Sequence, residues 1–286
     1  MAVDAGAGFD TEQIWFNQVP SAPIPAYKRA WFASTRFRQA ISLAIDRADL
    51  ARVVFRGLAQ PAAGLIPRAK RTWFNNELPP LQFDPSAALA ELRGDGFALR
   101  NGALFDADGH RVEFSVITNS GNTSREEMAA MIQQDLQHIG IQLNIVTLDF
   151  PSLIERISRT FNYEACLLGL VNDDLDPNAQ LNIWLSSADN HQWNPNQKSP
   201  ATPWEAEIDR LMRLQASMPD FRHRKQAVDR VQQIVREQQP FIYLVNKEAL
   251  AAVSPRLQNV APVPLRPQLY WNIEWLWFAR EAGNRR

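Results

Sequence analysis

Residues 112–146 read VEFSVITNSGNTSREEMAAMIQQDLQHIGIQLNIV, and this stretch sets the fold class. Val112 to Ile117 is rich in β-branched and aromatic residues and predicts a strand. Thr118 to Thr123, with Gly121 and two asparagines, reads as a loop. Ser124 and Glu127 have capping-box spacing, so a helix is expected to start there. Met128, Met131, Ile132, Leu136 and Ile139 then recur at helical spacing, and Gly140 stops the run. Ile141, Leu143 and Ile145 alternate with Gln142 and Asn144, which predicts a half-buried strand. Strand, loop, helix and strand in this order predict an α/β domain with a right-handed crossover.

The flanking sequence extends the pattern. Residues 37–57, FRQAISLAIDRADLARVVFRG, read as two short helices joined at Asp46, which caps the second. Ala59 to Pro80 is a long surface connection, and Asp84-Pro85 opens a helix that runs to about Arg93. Leu104-Phe105, a turn at Asp106-Ala-Asp-Gly109 and Val112 to Ile117 read as a hairpin. Pro151 to Thr160 predicts a helix and Glu164 to Leu170 a buried strand. Val171 to Thr202 is a long polar connection, and connections of that length in compact domains tend to carry function. Thr202-Pro-Trp-Glu205 and Asp220 each start a helix, and Phe241 to Val245 is a strand.

Composition narrows the function. The chain has 286 residues, 45% of them hydrophobic and 21% charged, as a folded globular protein does. Thirty basic against 31 acidic side chains give no electrostatic reason for a nucleic-acid partner. The single cysteine, Cys166, excludes an intrachain disulfide and a multi-cysteine metal site, and its apolar strand predicts an inert thiol. The four histidines have no metal-ligand spacing, and no nucleophile elbow, P-loop or dinucleotide fingerprint is present, so no cofactor is expected. No run approaches the ~18 apolar residues of a membrane helix. Met1 to Gly6 has neither the basic nor the apolar part of a signal peptide.

Two polar loops follow predicted strands, where α/β domains gather ligands. In Asn172-Asp-Asp-Leu-Asp176-Pro, three carboxylates lie close together. They are either a site for a cation or a solvated loop in which Asp176 caps the next helix. Thr118 to Thr123 precedes a helix N-terminus and is either an anion or carbonyl site or a plain capping loop. Trp184, Trp193 and Trp204 bracket the long connection, either stacking on a ligand or packing beneath it.

These elements in this order resemble the family 5 extracellular solute-binding proteins, the peptide and related receptors of bacterial ABC importers. The strongest likeness is in residues 37–62, FRQAISLAIDRADLARVVFRGLAQPA. Pro67, Phe83-Asp-Pro85, Ser124 to Val146, Gly169 to Pro177 and Ile208 to Pro240 follow in family order. The resemblance implies a periplasmic-binding-protein-like lobe of the peptide-receptor class, with a mixed sheet flanked by helices. It also implies that the chain is the C-terminal half of a receptor. Residues 1–30 would lead in from a missing N-terminal lobe, 31–245 would form the binding lobe, and 246–286 would be a return and hinge segment.

By the same resemblance the protein would be non-catalytic, work in the periplasm or outside the cell, and deliver a peptide to an ABC permease. Asp173, four residues before Pro177, would pair with the ligand's α-ammonium. Asn172, Asn119 and Ser120 would add hydrogen bonds, and Trp193 a stacking face. Leu170 and Asn119 stand where dipeptide receptors carry a Trp and a carboxylate-binding Arg, which favours a longer peptide or a ligand read through neutral hydrogen bonds. An oligosaccharide or metal-chelate receptor and a sensory lobe of a regulator are the alternatives. Trp15, Trp271 and Trp275 would be exposed by the missing half and are expected to favour dimerisation.

Overall fold

The computed structural model describes residues 1–171 and 174–279. The elements run β1 (Ala2–Phe16), α1 (Ala26–Ala33), α2 (Thr35–Ala44), α3 (Arg47–Val53), β2 (Ala59–Pro61), α4 (Pro85–Gly94), β3 (Ala98–Arg100) and β4 (Ala103–Phe105). They continue with β5 (Glu113–Asn119), α5 (Thr123–His138), β6 (Gln142–Leu148), α6 (Phe150–Glu155), β7 (Ala165–Leu170) and α7 (Leu181–Trp184). Last come α8 (Pro203–Ser217), α9 (Phe221–Gln238), β8 (Phe241–Ala252), β9 (Leu257–Gln258) and β10 (Trp277–Phe278). The main sheet has the order β2-β8-β1-β7-β5-β6. β5 is parallel to β6 and β7, as the crossover predicts, and β1 is antiparallel to β7 and β8.

Both faces of this sheet are buried, because neighbouring strand residues point to opposite sides. Ile14 and Phe16 of β1 and Ala165 and Leu167 of β7 join one core with α1 to α5. Trp15, Cys166 and Leu168 join the other, with α6 to α9. Hence the mixed α/β class stands, with a layer of helices on each side of the sheet.

The quoted 37–62 stretch has a physical job. Asp46 accepts from the backbone N–H groups of Ala48 and Asp49 and starts α3, as its spacing predicts. Arg38 and Arg47 are buried and donate to main-chain carbonyls: Arg38 to Phe32, Gln238 and Gln239, Arg47 to Ser42, Ile45 and Tyr243. The planar guanidinium serves several carbonyls at once, which an ammonium cannot do in that geometry. These bonds tie α2 and α3 to the end of α9 and the start of β8. Burial pulls Arg47 down to about 9 and Arg38 to about 10.

Several expectations are corrected. The cap of α5 is Asn122, whose side chain accepts from Arg125 N–H, while Ser124 lies within the helix. The expected hairpin around Asp106 to Gly109 is present, with Asp106 N–H donating to His110 O at 3.0 Å and Val112 N–H to Leu104 O at 2.8 Å, but β4 also pairs with a strand the sequence does not predict, β3, through a turn at Asn101 and Gly102. β5 continues from this hairpin into the main sheet. The predicted helix at 151–160 ends as α6 at Glu155 and continues as one wider turn to Thr160. Trp15 is fully buried against the Phe241 ring, its Nε1 donating to Tyr163 Oη, so it offers no surface to a second copy. Trp271 and Trp275 are exposed, at 55% and 64%.

The long connection after β7 is held by one carboxylate. Glu205 is 2% exposed and completes the expected capping box with Thr202. Its other oxygen accepts from Trp193 Nε1 at 2.9 Å, Gln197 Nε2 at 3.0 Å and His191 Nε2 at 3.2 Å. Burial raises its proton affinity, but the bonds from His191, Gln197, Trp193 and Thr202 outweigh it and hold the carboxyl at about 2. A carboxylate whose folded value is depressed stabilises the fold above its unfolded value and loses that contribution as pH falls through the folded one. Glu205→Gln is therefore expected to lower unfolding free energy by about 3 kcal/mol at pH 7. The gap from wild type should close as pH drops from about 4.5 toward 2. Urea titrations across that range measure it.

Candidate functional site

The carboxyl ends of the parallel strands β5 and β7 lie side by side, and β1 crosses next to them. Glu12 of β1 stands opposite Gly169 of β7 in register. A Cβ on Gly169 would come within 2.6 Å of Arg125 Nη2 and 2.9 Å of Glu12 Oε2. The bare glycine is what lets this ion pair lie flat across the strand. Arg125, in the first turn of α5, donates Nε to Glu12 at 2.8 Å and Nη1 to Asn119 Oδ1 at 2.7 Å. Lys247 of β8 reaches the other Glu12 oxygen at 2.8 Å.

Burial pushes the Glu12 carboxyl up, and hydrogen bonds and charge from Arg125 and Lys247 more than offset this, leaving it below its ordinary value. Two cations face one carboxylate, so the cluster carries one surplus positive charge. Lys247 brings it toward solvent, its side chain 39% exposed. Lys70, itself buried, lies 5.1 Å from the Phe9 ring and donates to the Asp174 carbonyl.

Asn119 therefore sits at the strand end as predicted, with its carbonyl oxygen engaged by Arg125. Ser120 is exposed beside it, its backbone N–H donating to Leu148 O at 2.7 Å. Asn172 and Asp173 lie outside the described residues. Asp176 takes the capping role: it accepts from Asn178 N–H and pairs with Arg224 at 2.7 Å, which overcomes the penalty of burial and lowers its proton affinity.

Trp193 is corrected as a stacking face. It is 1% exposed, and His191, Trp184, Trp204 and Phe241 cover its rings while Glu205 takes its N–H. The Asp106 turn is likewise closed on itself, with Oδ2 accepting from Trp31 Nε1 and His110 Nδ1.

A cleft of about 60 Å³ opens on the face of β1 opposite Glu12, between β1, β8 and α7. Thr11, Gln13, Gln180 and Tyr243 are its polar lining. The sequence reading missed it, because Gln13 lies in the segment read as a lead-in and Tyr243 in a strand with no polar neighbour to mark a site. Cys166 is buried and its thiol is pushed well up by desolvation, in keeping with an inert role. No helix among the described residues is long and apolar enough to cross a membrane.

A mixed sheet covered on both faces, with polar groups at the carboxyl ends of its parallel strands, defines a periplasmic-binding-protein-like lobe. Residues 2–192 match the profile of bacterial extracellular solute-binding proteins, family 5, and the chain belongs to that family. It is 27% identical over 262 residues to the oligopeptide-binding protein AppA of Bacillus subtilis, covering 88% of this chain and 46% of AppA. The dipeptide-binding protein of Escherichia coli is 23% identical over 239 residues, covering 83% of this chain and 42% of that protein.

Among solved structures, Bacillus subtilis AppA in complex with a nonapeptide superimposes with a TM-score of 0.79 at 23% identity, over 98% of this chain and 52% of AppA. NikZ of Campylobacter jejuni, in complex with Ni(L-His), gives 0.76 at 17% identity, over 96% of this chain and 53% of NikZ. Both structural likenesses bear on the fold. The chain spans about half the length of the curated relatives it matches.

The Glu12–Arg125 geometry makes a direct prediction. Gly169→Ala should drive the pair apart and destabilise the fold by about 1–3 kcal/mol, the range for overpacking a tight site. A drop in urea midpoint with an unchanged slope checks it.

Proposed function

We propose that this chain forms one wall of the solute cleft of an ABC-importer receptor, and that its solute is a peptide. The carrying observation is the polar ledge at the ends of β5 and β7. Its surplus positive charge, brought toward solvent by Lys247, suits a ligand carboxylate. Asp173 complements it with negative charge for the α-ammonium, and Asn172, Asn119 and Ser120 add hydrogen bonds. A charge-assisted pair closed off from water is strong enough to fix a ligand end. The likeness to an oligopeptide-binding protein whose structure holds a nonapeptide supports a peptide longer than two residues.

The second wall belongs to a separate lobe, joined through the outer halves of β1 and β8. There the pairing is bulged between Asp4 and Thr11, a place where a two-stranded ribbon bends easily. On this reading residues 1–30 lead in from that lobe, 31–245 bind, and 246–286 return to it. The exposed Trp271 and Trp275 face what covers them there, or a second copy where the lobe is lacking. The role is non-catalytic, outside the cytoplasm: bind, close by hinge motion and present the solute to a permease.

Native mass spectrometry of the protein purified from its own host without denaturation tests this. A retained ladder of peptide masses, lost in Asp173→Ala, is expected. A retained oligosaccharide or metal chelate, or no adduct, would overturn the peptide reading.

A further inference from the structure

Two residues lining the cleft under α7 carry polar atoms that the fold buries and leaves unanswered. Gln13 and Tyr243 are opposite one another in the β1–β8 register and are 1% and 4% exposed. Gln13 Oε1 and Tyr243 Oη have no hydrogen-bond partner, although both side chains line the cleft. Gln13 Nε2 donates to Gln192 Oε1, and Gln192 Nε2 to Asn190 Oδ1, both at 3.4 Å. The Gln13 oxygen is thereby the atom left over. An unanswered buried polar group is costly, so a partner that supplies the missing bond is favoured over one that cannot.

The remaining walls dictate what the partner can be. Leu65, Leu170, Ile183 and Phe241 are apolar, and Gln180 adds an amide whose oxygen already accepts the Trp184 N–H. None of the described lining residues is charged. A carboxylate could take donors from Gln180 and Tyr243 but would leave the Gln13 oxygen facing lone pairs. A hydrocarbon would leave both atoms orphaned. Gln13 Oε1 can only accept, so the occupant must donate, and the Tyr243 hydroxyl can donate back. Burial raises the Tyr243 phenol well above its ordinary value, so that hydroxyl keeps its proton.

We propose that this cleft is a recognition pocket for one neutral, hydrogen-bond-donating side chain of the ligand, and that a carboxamide fits it best. The amide N–H is accepted by Gln13 and the amide carbonyl takes the Tyr243 O–H. The role as a ligand subsite rests on the receptor reading above, whereas the chemistry of the pocket stands on its lining alone. Gln13 and Tyr243 are thus specificity-determining residues of that site.

Three small probes of similar shape decide the matter on the folded chain: propionamide, 2-butanone and propionate. Binding is followed by the indole N–H cross-peak of Trp184 in nitrogen–proton correlation spectra, assigned with Trp184→Phe. Propionamide is expected to shift that peak saturably and to bind about tenfold more tightly than either other probe, the worth of one to two net hydrogen bonds. Gln13→Leu should erase the preference for the amide over butanone. Equal binding of amide and butanone, or no saturable shift with any probe, overturns the proposal. Its failure leaves the peptide reading to be judged by native mass spectrometry. Amide binding without any retained peptide would defeat that reading and keep the pocket.

Discussion

The pairing of β1 between β7 and β8 is the constraint on which the rest of the molecule depends. It joins Thr11 to Leu170 on one side and to Asn246 on the other, so the chain's beginning is held by segments distant in sequence. Loop closure over such separations costs entropy that grows slowly with length, and burial on both sheet faces offsets it. Trp15 points into one core, Ile14 and Phe16 into the other. The same strand delivers Glu12 to Arg125 and Lys247 on one face, and Thr11 and Gln13 to the cleft on the other. Fold and site are therefore set by one alternation: shifting β1 by a single residue would exchange them.

Buried polarity in this lobe is used in two ways. Arg38, Arg47 and Glu205 are saturated with hydrogen bonds and hold helices and the long connection in place. At the carboxyl ends of β5 and β7 the balance is left open, with surplus positive charge near Lys247 and two unanswered oxygens at Gln13 and Tyr243. A scaffold gains from complete satisfaction, whereas a recognition surface needs groups that something else will satisfy.

How much of this was legible in the sequence follows from the range of each signal. The β5–α5–β6 unit, the Asp46 and Asp84 caps and the Thr202–Glu205 box depend on residues a few positions apart, and they stand in the structure. α1 was not read, because its N-cap Pro25 supplies no capping side chain and only Trp31 and Phe32 are buried. β3 was not read, because three residues are too short for alternation to register, although Asn101-Gly102 is a favoured hairpin turn. Asn119 could be placed at a strand end from local pattern. Its partner Arg125, the partner's partner Glu12, and the glycine that makes room for them come from different parts of the chain. Trp193 misled because indoles suit ligand faces and cores equally, and only tertiary burial separates the two uses.

The central claim, that solute is held where the ends of β5 and β7 meet β1, is tested most directly by hydrogen exchange of the chain with and without an oligopeptide mixture. The account predicts slowed exchange in residues 11–13, 119–125 and 169–184, with α8 and α9 unchanged. Protection confined to the exposed aromatic segment around Trp271 and Trp275, or spread evenly over the fold, would contradict it.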